Sequence, residues 1–202
     1  MRDEGVTKYT CRFQTTHAPA HPALAELIAC RDRLFGRQLI GVYPDGIGYG
    51  NISLRPAGWQ RFFITGTQTG DKPALSTGDI ALVTAYNIAE NVVECEGLVP
   101  ASSESMTHAA VYELSPEIGA VIHVHHSRLW HRAAGHLPTT GPGIAYGTPA
   151  MAREMRRLCD EANLLSRRLL VMAGHEEGVI AFGAGLAEAE AILNRALIDF
   201  TK

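Results

Sequence analysis

The sequence predicts a mixed α/β domain over residues 22–202, preceded by an irregular arm over 1–21, and three observations carry that reading. A length of 202 residues with 46% hydrophobic and 19% charged content supplies the core of one ordinary globular domain without disulfides. Short Val-, Ile- and Phe-rich runs with strand character interleave with longer segments whose apolar residues recur at helical spacing. No repeat, low-complexity tract or linker-like stretch breaks that alternation.

In the arm, Pro19 and Pro22 and the histidines His17 and His21 read as exposed loop. A helix is predicted over 22–37, with Pro22 suited to its first turn and Leu24, Leu27, Ile28 and Leu34 as its apolar stripe. Gly41, Gly46, Gly48 and Gly50 mark a turn-rich loop. It opens into Asn51-Ile52-Ser53-Leu54-Arg55, which alternates like a half-buried strand. Asn51 either offers its amide to a ligand or caps a turn.

A second strand, 61–64, runs into Thr65-Gly66-Thr67-Gln68-Thr69-Gly70. Successive amides and hydroxyls in such a loop can nest an anion, and a plain connection has the same composition. It lacks the closing Lys-Ser or Lys-Thr of a nucleotide-binding P-loop. Strands are predicted at 79–86 and 91–95. Ser102 or Ser103 is the expected N-cap of the next helix, which places Glu104 in its first turn and His108 one turn beyond on the same face. A helix start welcomes a phosphate or a carboxylate, so Glu104 reads equally as structural or catalytic, and His108 as a buried histidine.

The run Gly119-Ala120-Val121-Ile122-His123-Val124-His125-His126 is the central strand. Alternate side chains of a strand share a face, so His123 and His125 point together and Val124 points into the core. A short helix follows through Trp130 and His131, then a Gly/Pro/Thr-rich loop over 135–147 and a helix over 148–163 with Met151, Met155, Leu158 and Ala162 on one side. The buried strand 168–173 and the strand 179–183 flank a hairpin tip, Gly174-His175-Glu176-Glu177-Gly178. The last helix, 186–200, takes Ala187, Ala191, Ile192, Ala196 and Leu197 as its inner face.

Bulk properties exclude several classes. A net charge of −3 gives no basic footprint for nucleic acid. Cys11, Cys30, Cys95 and Cys159 are scattered, form no CxxC, and read as reduced thiols of a cytoplasmic protein. The first residues are polar, without a signal-peptide core, and no run approaches the roughly 20 apolar residues of a membrane span.

Two imidazoles on one face of a rigid strand make half of a tetrahedral metal site, and His175 is the candidate third ligand. A fourth position left open for substrate oxygen would make the site catalytic; a fourth protein ligand would make it structural.

Five pieces occur in order: Gly-Asn-Ile-Ser at 50–53, Ile-Thr-Gly-Thr-Gln-Thr-Gly at 64–70, Ser-Ser-Glu at 102–104 with His108, His-Val-His at 123–125, and Gly-His-Glu-Glu-Gly at 174–178. Together they resemble the class II aldolase/adducin family from about Leu24 to the end of the chain. The resemblance implies a three-layer α/β/α domain around a mainly antiparallel sheet. It implies Zn2+, or Mn2+, Fe2+ or Co2+, on His123, His125 and His175, with Glu104 as general acid/base. Asn51, Gly66, Thr69, Gly70, Ser102 and Ser103 would hold the phosphate of a small phosphorylated substrate. The expected activity is an aldolase-type carbon–carbon lyase working through a metal-stabilised enediolate, in a homotetramer. Dehydration or epimerisation on the same site, and a non-catalytic adducin-like interaction domain, are the alternatives. The intact histidines and Glu104 favour an enzyme.

Overall fold

Alternation along the strands dictates the architecture. Phe62 and Ile64 must face opposite to Phe63, and Val121 opposite to Ile122, because successive side chains of a strand leave on opposite faces. All five are buried, so the sheet needs cover on both sides. The computed structural model describes residues 5–202 and meets that need with one eight-stranded sheet between two helical layers.

The strands are β1 (Thr10–Thr15), β4 (Asn51–Leu54), β5 (Phe62–Thr65), β6 (Ile80–Asn87), β7 (Val92–Gly97), β8 (Ala120–His125), β9 (Leu169–Val171) and β10 (Gly178–Gly183); β2 (Gly41–Val42) and β3 (Gly48–Tyr49) form a separate hairpin. Their order in the large sheet is β1-β7-β6-β5-β4-β8-β10-β9. Every pairing is antiparallel except β1 with β7. The helices are α1 (Leu24–Gly36), α2 (Ser105–Tyr112), α3 (Ser127–Ala133), α4 (Pro149–Ala162), α5 (Leu164–Arg167) and α6 (Leu186–Thr201).

One core joins α2 and α4 to the sheet face carrying Phe62, Ile64, Val121 and Ile180. The other joins α1, α3 and α6 to the face carrying Phe63, Ile122, Val124 and Val179. Val124 therefore points into the second core, as its place between two histidines requires. No helix among the described residues is long and apolar enough to cross a membrane.

Several expectations need correction. Residues 10–15 of the arm are the edge strand β1, whose pattern is mostly exposed and so lacks the apolar signal of a strand. The Gly41–Gly50 loop contains the β2–β3 hairpin. His21 is half-buried against the rings of Trp59 and Phe63, at 5.3 and 5.4 Å, while His17 is exposed. The buried face of α6 is Leu186, Ala189, Leu193 and Ala196, with Ile192 and Leu197 packed at its edge; of the predicted inner residues, Ala187 and Ala191 face outward instead. Helix α2 begins later than expected: Glu104 holds its N-cap position and neither serine caps it through its side chain. Thr148 caps α4, accepting a hydrogen bond from the Met151 amide, with Pro149 at the first turn.

Candidate metal centre

Sheet register assembles the site before any helix contributes. Asn51 of β4 pairs with His123 of β8, and Gly178 of β10 pairs with His125. Asn51, Ser53, His123 and His125 consequently share the face covered by α2. Helix α2 carries Glu104 at its start, and the β9–β10 turn folds His175 onto the same spot. That turn is closed by hydrogen bonds from the His175 amide to the Met172 carbonyl (3.1 Å) and from the Gly178 amide to the His175 carbonyl (2.9 Å). A Cβ at position 178 would lie 2.6 Å from the His175 ring and 3.2 Å from the His123 ring, so glycine is required for the hairpin to close over the imidazoles.

The three histidines converge through one kind of atom. His125 Nε2 lies 3.1 Å from His123 Nε2 and 3.1 Å from His175 Nε2. Nitrogens bound at about 2.0–2.1 Å to a tetrahedral zinc stand about 3.3 Å apart, so the observed spacing fits a shared divalent ion. All three are buried. The Nδ1 of His123 donates to the Val179 carbonyl (3.2 Å), which fixes the tautomer with its Nε2 lone pair free to bind a cation.

Glu104 closes the group. Its Oε1 is 2.8 Å from His123 Nε2 and 3.6 Å from His175 Nε2, and it accepts a hydrogen bond from Asn51 Nδ2 (3.3 Å). Its Oε2 is buried without a protein partner among the described residues. Burial pushes the carboxyl's pKa up, but the adjacent His123 and His175 rings outweigh it and hold the group well below its ordinary range. Burial pushes His175 below its ordinary value, with Glu104 opposing. Three imidazole nitrogens suit a divalent ion such as zinc, with Glu104 standing beside them.

His108 stands behind this group. Its Nδ1 is 2.7 Å from Ser53 Oγ, which is also 2.8 Å from the Tyr112 hydroxyl. Its pKa is pushed down to about 3, mainly by burial. His126, next to the pair, is no ligand: its Nδ1 accepts the Leu129 amide (3.1 Å) and caps α3.

The residues expected to hold phosphate fare differently. Asn51, Gly66, Thr69, Gly70, Ser102 and Ser103 do line one cavity of about 70 Å3. Two of them spend their donors elsewhere, however. The Gly66 amide donates to the Asp79 carbonyl (2.8 Å), and the Thr69 hydroxyl donates to the Gly66 carbonyl (2.9 Å). Neither donor is therefore left for an anion. Asn51 directs its amide to Glu104, and Ser102 Oγ accepts the Glu104 amide (3.3 Å). Gly70 is held to glycine by a close crossing, since a Cβ there would lie 2.4 Å from the Gly41 carbonyl oxygen. A larger cavity of about 770 Å3 lies at α5 and α6 and contains none of the site residues.

The arm contributes residues that the sequence reading missed. Gly5 lines the small cavity. The Tyr9 hydroxyl donates to the Ser102 carbonyl (2.7 Å), and the Tyr146 hydroxyl donates to the Val6 carbonyl (3.1 Å). The Tyr146 ring in turn packs against His175 with centroids 4.6 Å apart, under the Lys8 ammonium at 3.6 Å. Long-range contacts of this kind leave no local sequence signal.

Fold and site together define a class: an α/β/α domain with a mainly antiparallel sheet whose central strand and one hairpin bring three histidines to a carboxylate. Residues 26–194 match the family described as Class II Aldolase and Adducin N-terminal domain, and the chain belongs to that family. Its fold is similar to that of YgbL from Klebsiella pneumoniae, described as a putative aldolase/epimerase/decarboxylase, at 21% identity and a TM-score of 0.63, covering 88% of this chain and 87% of that one. It is similar to L-fuculose-1-phosphate aldolase from Thermus thermophilus at 23% identity and a TM-score of 0.55, covering 85% and 84%. A sugar-phosphate aldolase from Thermotoga maritima aligns at 17% identity with a TM-score of 0.61, covering 87% and 92%.

Proposed function

We propose that the protein is a metal-dependent carbon–carbon lyase of the aldolase type, acting on a small hydroxy-carbonyl compound, with a sugar phosphate as the leading substrate class. The observation that supports this most directly is the convergence of His123, His125 and His175 Nε2 on Glu104 Oε1 inside a buried site. Held by those histidines, zinc (or manganese, iron or cobalt) supplies Lewis-acid stabilisation of negative charge on a substrate oxygen.

The chain's own groups supply the proton chemistry. Glu104 enters as a carboxylate, takes the substrate's hydroxyl proton at Oε1 as the adjacent carbon–carbon bond breaks, and returns a proton to carbon. Asn51 Nδ2 keeps Oε1 in line. His108 stays neutral at ordinary pH and adds no competing charge behind the carboxylate. Ser103 and the amides of Gln68, Thr69 and Gly70, which line the small cavity, hold the substrate's anionic end. The active assembly is a cytoplasmic homotetramer, which light scattering on the purified chain checks.

Elemental analysis of protein purified without affinity tag or added metal, followed by a screen of sugar phosphates for aldol cleavage, tests the proposal. About one chelator-removable divalent ion per chain with cleavage of a ketose phosphate supports it. Protein that neither carries nor takes up metal sinks it and favours the adducin-like interaction reading.

A further inference from the structure

His123 and His125 meet the centre alike but are held from behind differently. His123 leans on a backbone carbonyl. The Nδ1 of His125 lies 2.8 Å from the Tyr43 hydroxyl, and that hydroxyl donates its proton to Glu177 Oε2 at 3.0 Å. A phenol has one proton to give. With that proton directed at Glu177, the Tyr43 oxygen accepts from His125 Nδ1, and the ring's Nε2 lone pair is directed at His123 and His175. We infer that Tyr43 and Glu177 form a relay that orients His125 and strengthens it as a ligand for the divalent ion; this rests on the metal reading above.

Three features of the structure support the inference. Tyr43 comes from the turn between β2 and β3 and Glu177 from the β9–β10 turn, so two loops far apart in the chain meet behind this ring. Glu177 adopts a left-handed backbone with φ 66°, which is strained for a residue with a Cβ, and its carbonyl accepts the His126 amide at 3.0 Å. The side chain and backbone of Glu177 thus brace the end of β8 together. A cavity of about 330 Å3 bordered by Tyr43, Tyr49, His125 and Glu177 lies on this outer side. A carboxylate reached through an intermediary raises the donor strength of a ligating imidazole and fixes its tautomer.

The test is competition between the purified protein and a chromophoric chelator for Zn2+, with Co2+ absorption spectra as a second readout. Tyr43→Phe and Glu177→Gln should each weaken Zn2+ binding by about 10–100-fold and shift the Co2+ ligand-field bands. The double variant should cost little more than either single one, because both break one relay. Tyr49→Phe, whose ring also lies against His125 at 5.5 Å but outside the relay, should bind as wild type. Unchanged affinity and spectra in both relay variants, alongside His125→Ala that has lost its metal, would overturn the relay alone. Wild-type protein that binds no Zn2+, or His125→Ala that binds as tightly as wild type, would overturn the metal reading and the relay with it.

Discussion

The histidine cluster and the Gly66–Gly70 loop both look like binding sites in one dimension, and the structure treats them differently. At the cluster, each outward-facing nitrogen of the strand histidines is engaged by Val179 or Tyr43, and the inward ones converge beside Glu104 Oε1. At the loop, the Gly66 amide and the Thr69 hydroxyl are consumed by the fold itself. Strands space side chains by a fixed repeat, so two histidines two residues apart have to share a face. A loop has no such repeat, and its donors are free for a ligand only where the chain has not already used them.

That contrast can be broken or sharpened experimentally, beginning with the largest effect. His125→Ala should abolish stoichiometric metal, and full occupancy on elemental analysis would refute the triad. Glu104→Gln should keep the metal while lowering turnover by about 10²–10⁴-fold; undiminished turnover would put the proton-transfer group elsewhere.

His108 gives the next effect, through stability. The unfolded chain binds its proton below about 6.5 and the folded chain only near 3. The stability owed to neutral His108 is therefore complete above pH 6.5 and is lost as pH falls toward 3, with a limiting slope of about 1.4 kcal/mol per pH unit. His108→Gln should flatten that acid limb in denaturant titrations from pH 7 to 4. An unchanged limb would show that His108 is not responsible.

On the loop side, Ser103→Ala should raise KM for phosphorylated substrates several-fold, whereas Thr69→Val should act mainly on stability, by about 1 kcal/mol. Equal KM effects would place the Thr69 hydroxyl in the anion site as well. Smallest of all, Tyr9→Phe removes one hydrogen bond to the Ser102 carbonyl and should cost about 1 kcal/mol in denaturant unfolding.

Legibility followed periodicity. The strands at 51–54, 62–65, 80–87, 92–97 and 120–125 were readable because their residues alternate or are continuously apolar. Strand β1 was not, because an edge strand that is mostly exposed and sits in a polar arm has no hydrophobic pattern to read. Helix α6 was readable as a helix, and its facing was read correctly at Ile192, Ala196 and Leu197 but not at Ala187 and Ala191. Ala is compatible with either side of a helix, and packing against the sheet and α3 selected Leu186, Ala189 and Leu193 for the buried side. The grouping of Glu104 with the histidines required the covering of one sheet face by α2. Tyr43 and Glu177 lie 134 positions apart in the chain, and nothing local marks them as partners.

By itself the sequence determined which side chains can share a face, where the turns fall, and which residues carry ligand chemistry, because those follow from backbone period and side-chain type. The tertiary structure decided which donors are spent and which remain. A hydrogen bond's partner is set by proximity in space, and burial makes every unspent donor or acceptor costly enough to be allotted. That allotment gave Gly66 and Thr69 to the fold, Asn51 to Glu104, and Tyr43 to His125.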